Sequence, residues 1–517
     1  MPVVGWCKRC NVPILDARKC GICHAPSSKI RFTKAELRPI FKEEMNFYRR
    51  VLAKKGADIA SLFPKGTMFH NIMGELVVDG KKLLRLSYDE DTQDWKVRFF
   101  KDSLQHKLSF EGSDLQRTIK ANQYILQEKE AKALHLIRKV IRRYADLPVA
   151  VSFSGGKDST VTLALIRKIK RRPDVIFLNT TIEFEQTVEY VRRIARLWKA
   201  HLFEARPPHD FFELCWQLGP PSRVMKWCCK TQKFSPQNQL INERYPKGVL
   251  VFSGIRKSES NNRSGFRTIQ RNKMIPKQTL AFPILDWTSL DVWLYILSRR
   301  IPYNEMYRHG FARIGCWACP EKSLRDLALV EQVSPTLFAR LRNILFEYAV
   351  RAHIQDPENW IRSGKWRSRR TKWLKTVVCS SAQLCSIGDE TMYTFTEACD
   401  MNRVKEFLRV FESPCELGSV TRIVGQEIEI TIIGQRMRVK TRNPELLLRL
   451  EKQLARALNC VGCGACVGIC PVGALRIEGG RIKIGPDCIR CLRCVTANGI
   501  RMSCVSVNYK PEIMAVA

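Results

Sequence analysis

A glycine-rich turn between an apolar strand and a helix is the feature that most constrains the fold of this chain. Residues 148–153, "PVAVSF", read as a buried strand, and "SGGKDSTVTL" continues from residue 154 into a helix. Glycines let the backbone approach a phosphate group closely, and the start of a helix presents free N–H groups and a positive dipole end. The turn therefore predicts a nucleotide site. The residues predicted to form it, here called the glycine loop, are Ser154, Gly155, Gly156, Lys157, Asp158 and Ser159.

The surrounding pattern predicts the fold class. Apolar runs at residues 174–180 and 248–255 alternate with helical patterns at 114–145 and 184–200. Strands that alternate with helices indicate a doubly wound parallel α/β sheet, with its ligand at the carboxyl ends of the strands. The loop lacks the spacing G-x4-G-K-[ST], which disfavours phosphoryl transfer of the kinase type.

Cysteine spacing predicts iron at the C-terminal end of the chain. The run "CVGCGACVGICP", which starts at Cys460, has the C-x2-C-x2-C-x3-C-P pattern of bacterial two-cluster ferredoxins. A second run starts at Cys488, and its fourth cysteine comes only after a gap of nine residues. The fourth cysteine of each run ligates the other cluster. The predicted [4Fe–4S] sets are therefore Cys460, Cys463, Cys466 and Cys504, and Cys470, Cys488, Cys491 and Cys494.

A second cysteine pattern lies at the N-terminal end. Two C-x2-C pairs supply four thiolates, which suit a structural zinc ion in a knuckle. A rubredoxin-like iron site is the alternative. The predicted ligands are Cys7, Cys10, Cys20 and Cys23.

Several motifs, taken in order, resemble a known family. They are "SFSGGKDS", "NTTIEFEQTVEY", "KWCCKTQKFSP", "SGIRKSESNNRS" and "FPILDWTSLDVWLYILSRRIPYNEMYRHGFARIGCWACP". Together they resemble the PP-loop nucleotide-binding enzymes and, within them, the adenylylsulfate and phosphoadenylylsulfate reductases, over roughly residues 121–348. The second motif departs from the family's D-T-G-x-x-F-P-E-T at Thr181, Glu185 and Gln186. Archaeal relatives with a zinc knuckle in front and a ferredoxin behind extend the resemblance over the whole chain.

The four cysteines inside this region form a third predicted metal site. Cys228 and Cys229 are adjacent, and Cys316 and Cys319 form a C-x2-C pair. Their spacing resembles the cluster signature of adenylylsulfate reductases, which implies a third [4Fe–4S] cluster. The expected metal groups of the whole chain are then three [4Fe–4S] clusters and one zinc. A second zinc site is the alternative.

The resemblance also implies which cations bind the substrate. Lys233, Arg256, Arg263 and Arg267 can contact sulfate and phosphate oxygens, and Lys233, Arg256 and Arg263 are the predicted contacts. The thiol-dependent members of the family carry a nucleophilic cysteine in an E-C-G-L-H motif, and this string is absent. Five cysteines remain unassigned: Cys215, Cys379, Cys385, Cys399 and Cys415.

The length and the net charge of the chain limit the number of its domains and the kinds of partner that it can have. A chain of 517 residues predicts several domains, and its net charge of +37 suits either RNA or an anionic nucleotide. No run approaches the ~18 apolar residues of a membrane span. The N-terminus, "MPVVGWCKRC", has neither a long apolar core nor a small-residue cleavage site, so we expect the protein in the cytoplasm. An electron donor such as ferredoxin and a homo-oligomer complete the expected partners.

Five domains are expected along the chain. They are a zinc knuckle at 1–30, a β-rich module at 31–113, the catalytic domain at 114–350, a basic linker with a small α/β module at 351–455 and the ferredoxin domain at 456–517. The β-rich module is either an RNA-binding barrel or a packing domain. The basic segment 362–375 contains tryptophans among its cations. It either binds a polynucleotide, forms a solvated linker or docks an acidic partner.

These expectations combine into one function and one alternative. The first is a sulfonucleotide reductase that reduces adenylylsulfate or its 3'-phosphorylated form to sulfite, with electrons arriving through the ferredoxin domain. The alternative is an iron–sulfur sulfurtransferase that binds ATP and thiolates tRNA or another nucleic acid.

Overall fold

Five sheets follow one another along the part of the chain that the computed structural model describes. That part comprises residues 4–30, 37–54, 67, 69–70, 74–89, 92, 94–100, 113–369 and 382–496. Its first two sheets are antiparallel, with orders β2-β1-β3 and β4-β5-β6-β7-β8. Their elements are β1 (Val4–Cys7), β2 (Val12–Leu15), β3 (Ser28–Ile30), β4 (Arg38–Pro39), α1 (Lys42–Ala53), β5 (Phe69–His70), β6 (Glu75–Val78), β7 (Lys81–Tyr88) and β8 (Trp95–Phe99).

The sequence of the β-rich module predicts one turn at Asp79-Gly80 and another around Asp89 to Asp94, and the first is confirmed. Asp79 and Gly80 have positive φ angles, +49° and +77°, and they join β6 to β7 as an antiparallel hairpin. Two left-handed residues match the twist of the flanking strands, which is why Asp-Gly is favoured there. The second predicted turn, between Asp89 and Asp94, joins β7 to β8.

A long helix, α2 (Leu115–Arg143), connects the N-terminal sheet to the central domain. The Asn122 side chain is fully buried, and it donates to the Pro13 carbonyl at 2.8 Å and accepts from the Leu15 N–H at 2.8 Å. These bonds satisfy the free backbone groups at the end of β2, so the cysteine-bearing sheet is fixed against α2.

The central sheet has the order β11-β10-β9-β12-β14-β13, and all its pairs are parallel except that of β13 with β14. The predicted α/β class is confirmed. The chain runs outward from β9 to β11 and then returns to the other side of β9, so the sheet has a switch point beside β9 where a ligand crevice is expected. The strands are β9 (Val149–Ser152), β10 (Asp174–Leu178), β11 (His201–Ala205), β12 (Val249–Ser253), β13 (Ile269–Arg271) and β14 (Gln278–Ala281).

Helices flank this sheet and extend beyond it. A π-helical segment, Lys230–Phe234, interrupts the helix that starts at Trp227. The helices are α3 (Lys157–Arg167), α4 (Glu185–Leu197), α5 (Phe211–Leu218), α6 (Trp227–Cys229), α7 (Ser235–Arg244), α8 (Asn261–Ser264), α9 (Ser289–Ser298), α10 (Leu324–Val333), α11 (Pro335–Arg351) and α12 (Pro357–Arg362).

The described part of the basic segment differs from the expected solvated linker. Trp366, Arg367 and Arg369 are only 3–7% exposed. The Arg369 guanidinium donates to the Pro220 carbonyl and to the Tyr348 hydroxyl at 3.1 Å each, and these acceptors draw the segment into the helical layer. Residues 370–375 lie outside the described part.

A six-stranded antiparallel sheet with two helices follows, in the order β15-β16-β20-β19-β18-β17. Within the expected small α/β module, the sequence "QEIEITIIGQRMRVKT" at residues 426–441 predicts a hairpin, which is confirmed as β19 and β20. The first hairpin of the described sheet begins at residue 382. Its elements are β15 (Ala382–Ile387), β16 (Glu390–Phe395), α13 (Met401–Leu408), β17 (Cys415–Leu417), β18 (Val420–Val424), β19 (Glu429–Ile433), β20 (Arg436–Lys440) and α14 (Pro444–Asn459).

The cysteine-rich C-terminal segment has a small hairpin and one short helix. These are β21 (Leu475–Glu478), β22 (Arg481–Ile484) and α15 (Arg493–Thr496). Residues 497–517, which include Cys504, lie outside the described part.

Candidate active site

A cavity of about 380 Å³ opens at the carboxyl ends of β9, β10 and β12, beside the switch point of the central sheet. Its position agrees with the expected place of a ligand in a doubly wound fold. Gly155 and Arg256 lie outside its wall, whereas the other predicted nucleotide-site residues line it: Ser154, Gly156, Lys157, Asp158, Ser159, Lys233 and Arg263.

Gly155 has a conformational role in the glycine loop. Its φ is +74°, and a Cβ at this position would lie 3.0 Å from the side chains of Thr187 and Val191 on α4. A side chain there would be strained and would also push α4 away. Gly155 therefore lets the loop turn tightly between β9 and α3, with Gly156 as the residue that precedes the helix.

Asp158 holds two cations at the start of α3. Its carboxylate lies 2.8 Å from the Lys157 Nζ and 2.6 Å from the Arg256 Nε. Burial opposes ionisation of Asp158, but the charges of Arg256 and Lys157 outweigh it and lower the pKa of Asp158 to about 2. Arg256 is 1% exposed, and it also donates to the Ser258 hydroxyl at 2.9 Å. Arg256 therefore stabilises the glycine loop from outside the cavity wall. The sequence had instead predicted that Arg256 contacts the substrate directly.

A half-buried glutamate organises two arginines near the cavity mouth. Glu259 accepts from the Arg256 backbone N–H at 3.0 Å, and it pairs with Arg263 and, at 3.4 Å, with Arg313. Both paired arginines line the cavity, and their side chains are 32% and 64% exposed. They present positive charge to an anionic ligand in the cavity.

The four central cysteines come from two segments that fold against each other. Cys228 and Cys229 end α6, and Cys316 and Cys319 lie in the loop before α10. The Trp317 N–H donates to the Ile182 carbonyl at 2.9 Å, which fixes that loop beside the end of β10. A hydrogen bond from Cys228 lowers the pKa of Cys229 to about 6, and the charges of all three other central cysteines contribute to raising the pKa of Cys228. The four sulfurs therefore lie within electrostatic range of one another.

Lys233 connects the cavity with these cysteines. Its side chain lines the cavity and contacts the Cys316 thiol, whose charge raises the pKa of Lys233. Cys316 also lies 3.4 Å from the Thr180 hydroxyl and donates to Glu183 at 3.4 Å. Burial and the Glu183 charge together raise the pKa of Cys316 to about 12. One wall is therefore shared by the cavity and the cysteine site.

The spacing of the thiols distinguishes two kinds of metal site. Among the described residues, the set Cys7, Cys10, Cys20 and Cys23 has all its ligand atoms within 4.8 Å of one another. This suits one tetrahedral zinc, because Zn–S bonds of 2.3 Å place the sulfurs about 3.8 Å apart. No three of the central cysteines meet the same limit.

The cysteine-rich C-terminal segment, residues 460–496 and here called the ferredoxin module, packs on α7. The Asn238 side chain donates to the carbonyls of Val467 and Cys470 at 3.1 and 3.2 Å. Gly468 lies so close to α7 that a Cβ there would be 2.9 Å from the Ser235 nitrogen. Cys463 is buried in the same apolar cluster as Cys228. The module is therefore joined to the helix that carries the adjacent cysteine pair.

Two cysteines of the second run and one of the first lie near one another in the module. Burial raises the pKa of the Cys494 thiol, and the charges of Cys470 and Cys488 add to this effect. The first run supplies buried thiols at Cys463 and Cys466. Cys504, the expected fourth ligand of the first cluster, lies outside the described residues.

Comparison with protein families matches residues 148–322 to the phosphoadenosine phosphosulfate reductase domain. It also matches residues 457–476 to the 4Fe-4S binding domain. The chain carries a phosphoadenosine phosphosulfate reductase domain. The predicted resemblance is thereby confirmed, and the 4Fe-4S domain lies behind the reductase domain as expected.

Similar proteins cover different shares of the chain. An uncharacterized protein of Methanocaldococcus jannaschii is 28% identical over 70% of this chain and 95% of its own length. An adenosine 5'-phosphosulfate reductase of Geobacillus is 26% identical over 37% of this chain and 80% of its own length. The solved structure of the phosphoadenylyl-sulfate reductase from Candida auris, a phosphate complex, has a TM-score of 0.30 and 20% identity over 38% of this chain and 97% of its own.

Sequence reasoning missed several residues of the reductase domain's cavity. Glu183, Glu259, Tyr307 and Arg313 all line it. The Tyr307 hydroxyl accepts the Lys157 backbone N–H at 2.8 Å, although 150 residues separate the two. All four residues lie inside the motifs quoted from the sequence, and their position there was the available signal.

No cysteine lines this cavity among the described residues. Cys215 is buried, and burial raises its pKa well above the ordinary value. Cys399 is buried in the core of the six-stranded sheet, and Cys415 is exposed on β17. Cys385 lies in β15, and Cys379 lies outside the described residues. A free thiol poised to attack the ligand is therefore missing from the described wall.

The described helices include none that is both long and apolar enough to cross a membrane.

Proposed function

We propose that this protein is a sulfonucleotide reductase. It binds adenylylsulfate or its 3'-phosphorylated form and transfers two electrons to the sulfate sulfur, which goes from S(VI) to S(IV). The bond between that sulfur and the bridging phosphate oxygen breaks. Sulfite leaves with the electron pair on sulfur, and adenosine monophosphate, or its 3'-phosphorylated form, retains the bridging oxygen.

The observation that carries this proposal is the position of Lys233. Its ammonium group belongs to the cavity wall and also contacts Cys316. An anionic group in the cavity and the cysteine site can therefore share one cation.

The chain's own residues divide the work of binding. The glycine loop and Lys157 hold the nucleotide phosphate, because a glycine turn before a helix favours an anion. Arg263 and Arg313 neutralise the remaining sulfate or phosphate charge. Asp158 and Arg256 keep the loop in place from behind.

Three [4Fe–4S] clusters and one zinc are the proposed metal groups, held by the ligand sets predicted from the sequence. When bound, each iron–sulfur cluster stores and passes one electron, and the zinc stabilises the N-terminal knuckle. The ferredoxin module is proposed to supply the reductase domain with electrons from a donor such as ferredoxin. The many cysteines at metal-ligand spacing suit the cytoplasm.

A second candidate function is sulfur transfer to nucleic acid. The cavity wall has no cysteine among the described residues, so the thiol-dependent reductase mechanism lacks its nucleophile there. In this alternative the cavity binds ATP and activates a base of tRNA by adenylation. The net charge of +37 agrees with an RNA partner.

One paired experiment separates the two candidates. Anaerobic protein with a reduced ferredoxin is given each sulfonucleotide in sulfur-labelled form, and labelled sulfite is measured; a second sample with ATP and tRNA is tested for pyrophosphate. Sulfite without RNA supports the reductase. Pyrophosphate release that requires RNA, in the absence of sulfite formation, would replace the reductase with the transferase.

A further inference from the structure

The two ends of the ferredoxin module have different surroundings. Its inner end, residues 460–470, contacts the reductase domain: His209 lies 3.2 Å from the Gly462 carbonyl, and Asn238 holds two more carbonyls of the same stretch. Cys463 and Cys466 are buried there. Two predicted ligands of the first cluster, Cys463 and Cys466, therefore lie at the end of the module that contacts the reductase domain.

The outer end, residues 486–493, faces solvent. Cys491, a predicted ligand of the second cluster, is exposed. Ile489 is 59% exposed, and no other large apolar side chain of the described residues 460–496 is exposed. Arg490 and Arg493 beside it are exposed as well. A predicted cluster ligand, an apolar contact residue and two cations thus share one surface segment.

The charge of the module favours an acidic partner. Its basic side chains are all exposed, and they outnumber the acidic ones, Glu478 and Asp487, by five to two: Arg476, Arg481, Lys483, Arg490 and Arg493. Arg481 pairs with Asp400 at 3.4 Å, and Arg490 pairs with Glu412. Within the described residues, Arg493 forms no ion pair and remains available to a partner.

We propose that the outer end of the ferredoxin module is the electron entry surface, on which a small acidic protein of the ferredoxin class docks. This inference rests on the proposed reductase function. Ile489 supplies an apolar contact, and Arg493 supplies charge complementarity. Electron-transfer encounters use small interfaces, so a segment of this size is sufficient. Each encounter oxidises the donor by one electron and reduces the module by one, and two encounters supply one sulfite.

The test measures cluster reduction, which needs no substrate. The full chain with its iron–sulfur clusters loaded and oxidised is mixed anaerobically with a reduced acidic [2Fe–2S] ferredoxin, and the loss of cluster absorbance is followed by stopped flow. Methyl viologen radical, a small cation that needs no docking surface, serves as the second reductant. Binding of oxidised ferredoxin is measured separately by calorimetry.

We expect Arg493→Glu to slow reduction by ferredoxin about five- to tenfold at low salt, because steering between opposite charges raises association rates. The same variant should keep its rate with methyl viologen. Arg436→Glu, the matched charge reversal on the exposed face of β20, should keep both rates. Raising the salt concentration should slow the wild-type reaction with ferredoxin, since screening weakens long-range attraction.

Several results would overturn the proposal. One is a wild-type rate with ferredoxin that does not fall with added salt, and another is an equal loss of rate in Arg436→Glu and Arg493→Glu. If Arg493→Glu loses iron, Ile489→Ala decides: weaker calorimetric binding of ferredoxin supports the surface, and unchanged binding contradicts it. A protein that accepts electrons here but forms no sulfite would refute the reductase function and leave the entry surface intact.

Discussion

Gly254 lies where β12 ends against the glycine loop, and its replacement by alanine tests whether that loop holds the nucleotide. A Cβ at this position would lie 2.5 Å from the carbonyl carbon and oxygen of Asp158 and 2.7 Å from the Ser159 nitrogen. These are backbone atoms, so no side chain can rotate away. The strand and the loop must separate by about 1 Å to reach an ordinary contact of 3.4 Å.

The cost of that separation sets the expected effect. Inserting a methyl group into a packed interior costs typically 1–3 kcal/mol. If the displaced loop must return to its place when the nucleotide binds, the affinity falls by about 5- to 150-fold, since 1.4 kcal/mol corresponds to a factor of ten. The cysteine ligands lie on other segments, so the iron content should not change.

Anaerobic calorimetry with adenosine monophosphate and with adenylylsulfate measures this loss. Gly265→Ala is the matched control, because a Cβ at Gly265 meets nothing within 4 Å and its φ is −85°. We expect wild-type affinity from Gly265→Ala. Wild-type affinity in a Gly254→Ala protein whose thermal stability has fallen would refute the assignment of the glycine loop as the nucleotide site.

Three further predictions test other parts of the molecule. Lys157→Ala should weaken nucleotide binding by tenfold or more at constant iron content, because a charged hydrogen bond contributes about 1.5–3 kcal/mol; calorimetry and iron analysis check this. Glu44→Ala should lower the free energy of unfolding by about 3–5 kcal/mol, because it leaves the buried Arg38 guanidinium without its carboxylate partner. The control Glu43→Ala, at an exposed position, should lower it by less than about 1 kcal/mol. Equal thermal midpoints of the two variants would contradict this prediction. Anaerobically purified protein should contain about twelve irons and one zinc, and a value near eight would remove the central cluster.

The elements around the cavity could be predicted because their signals are local. The glycine loop stands between an apolar strand and a helix, and α2 shows helical spacing over its length. The hairpin at Asp79-Gly80 depends on two residues that accept positive φ angles. Such features need only neighbouring residues, so a single sequence contains them.

The rest depends on contacts that only the folded chain creates. Arg256 looked like a substrate ligand, but its guanidinium is held by Asp158, 98 residues away in the sequence. The contact between Asn238 and the ferredoxin module spans more than 200 residues. The basic segment around Trp366 has the composition of a surface, and only the carbonyl acceptors of the helical layer account for its burial.

Electron flow from the chain's own clusters to a bound sulfonucleotide is the central claim, and a single-turnover measurement tests it most directly. The clusters are reduced anaerobically, free reductant is removed, and the protein is mixed with sulfur-labelled adenylylsulfate and, separately, with its 3'-phosphorylated form. We predict about one sulfite per chain from at least one of them, together with reoxidation of the clusters, because three one-electron clusters store enough for one two-electron reduction. Clusters that stay reduced, with no labelled sulfite from either nucleotide, would contradict the account.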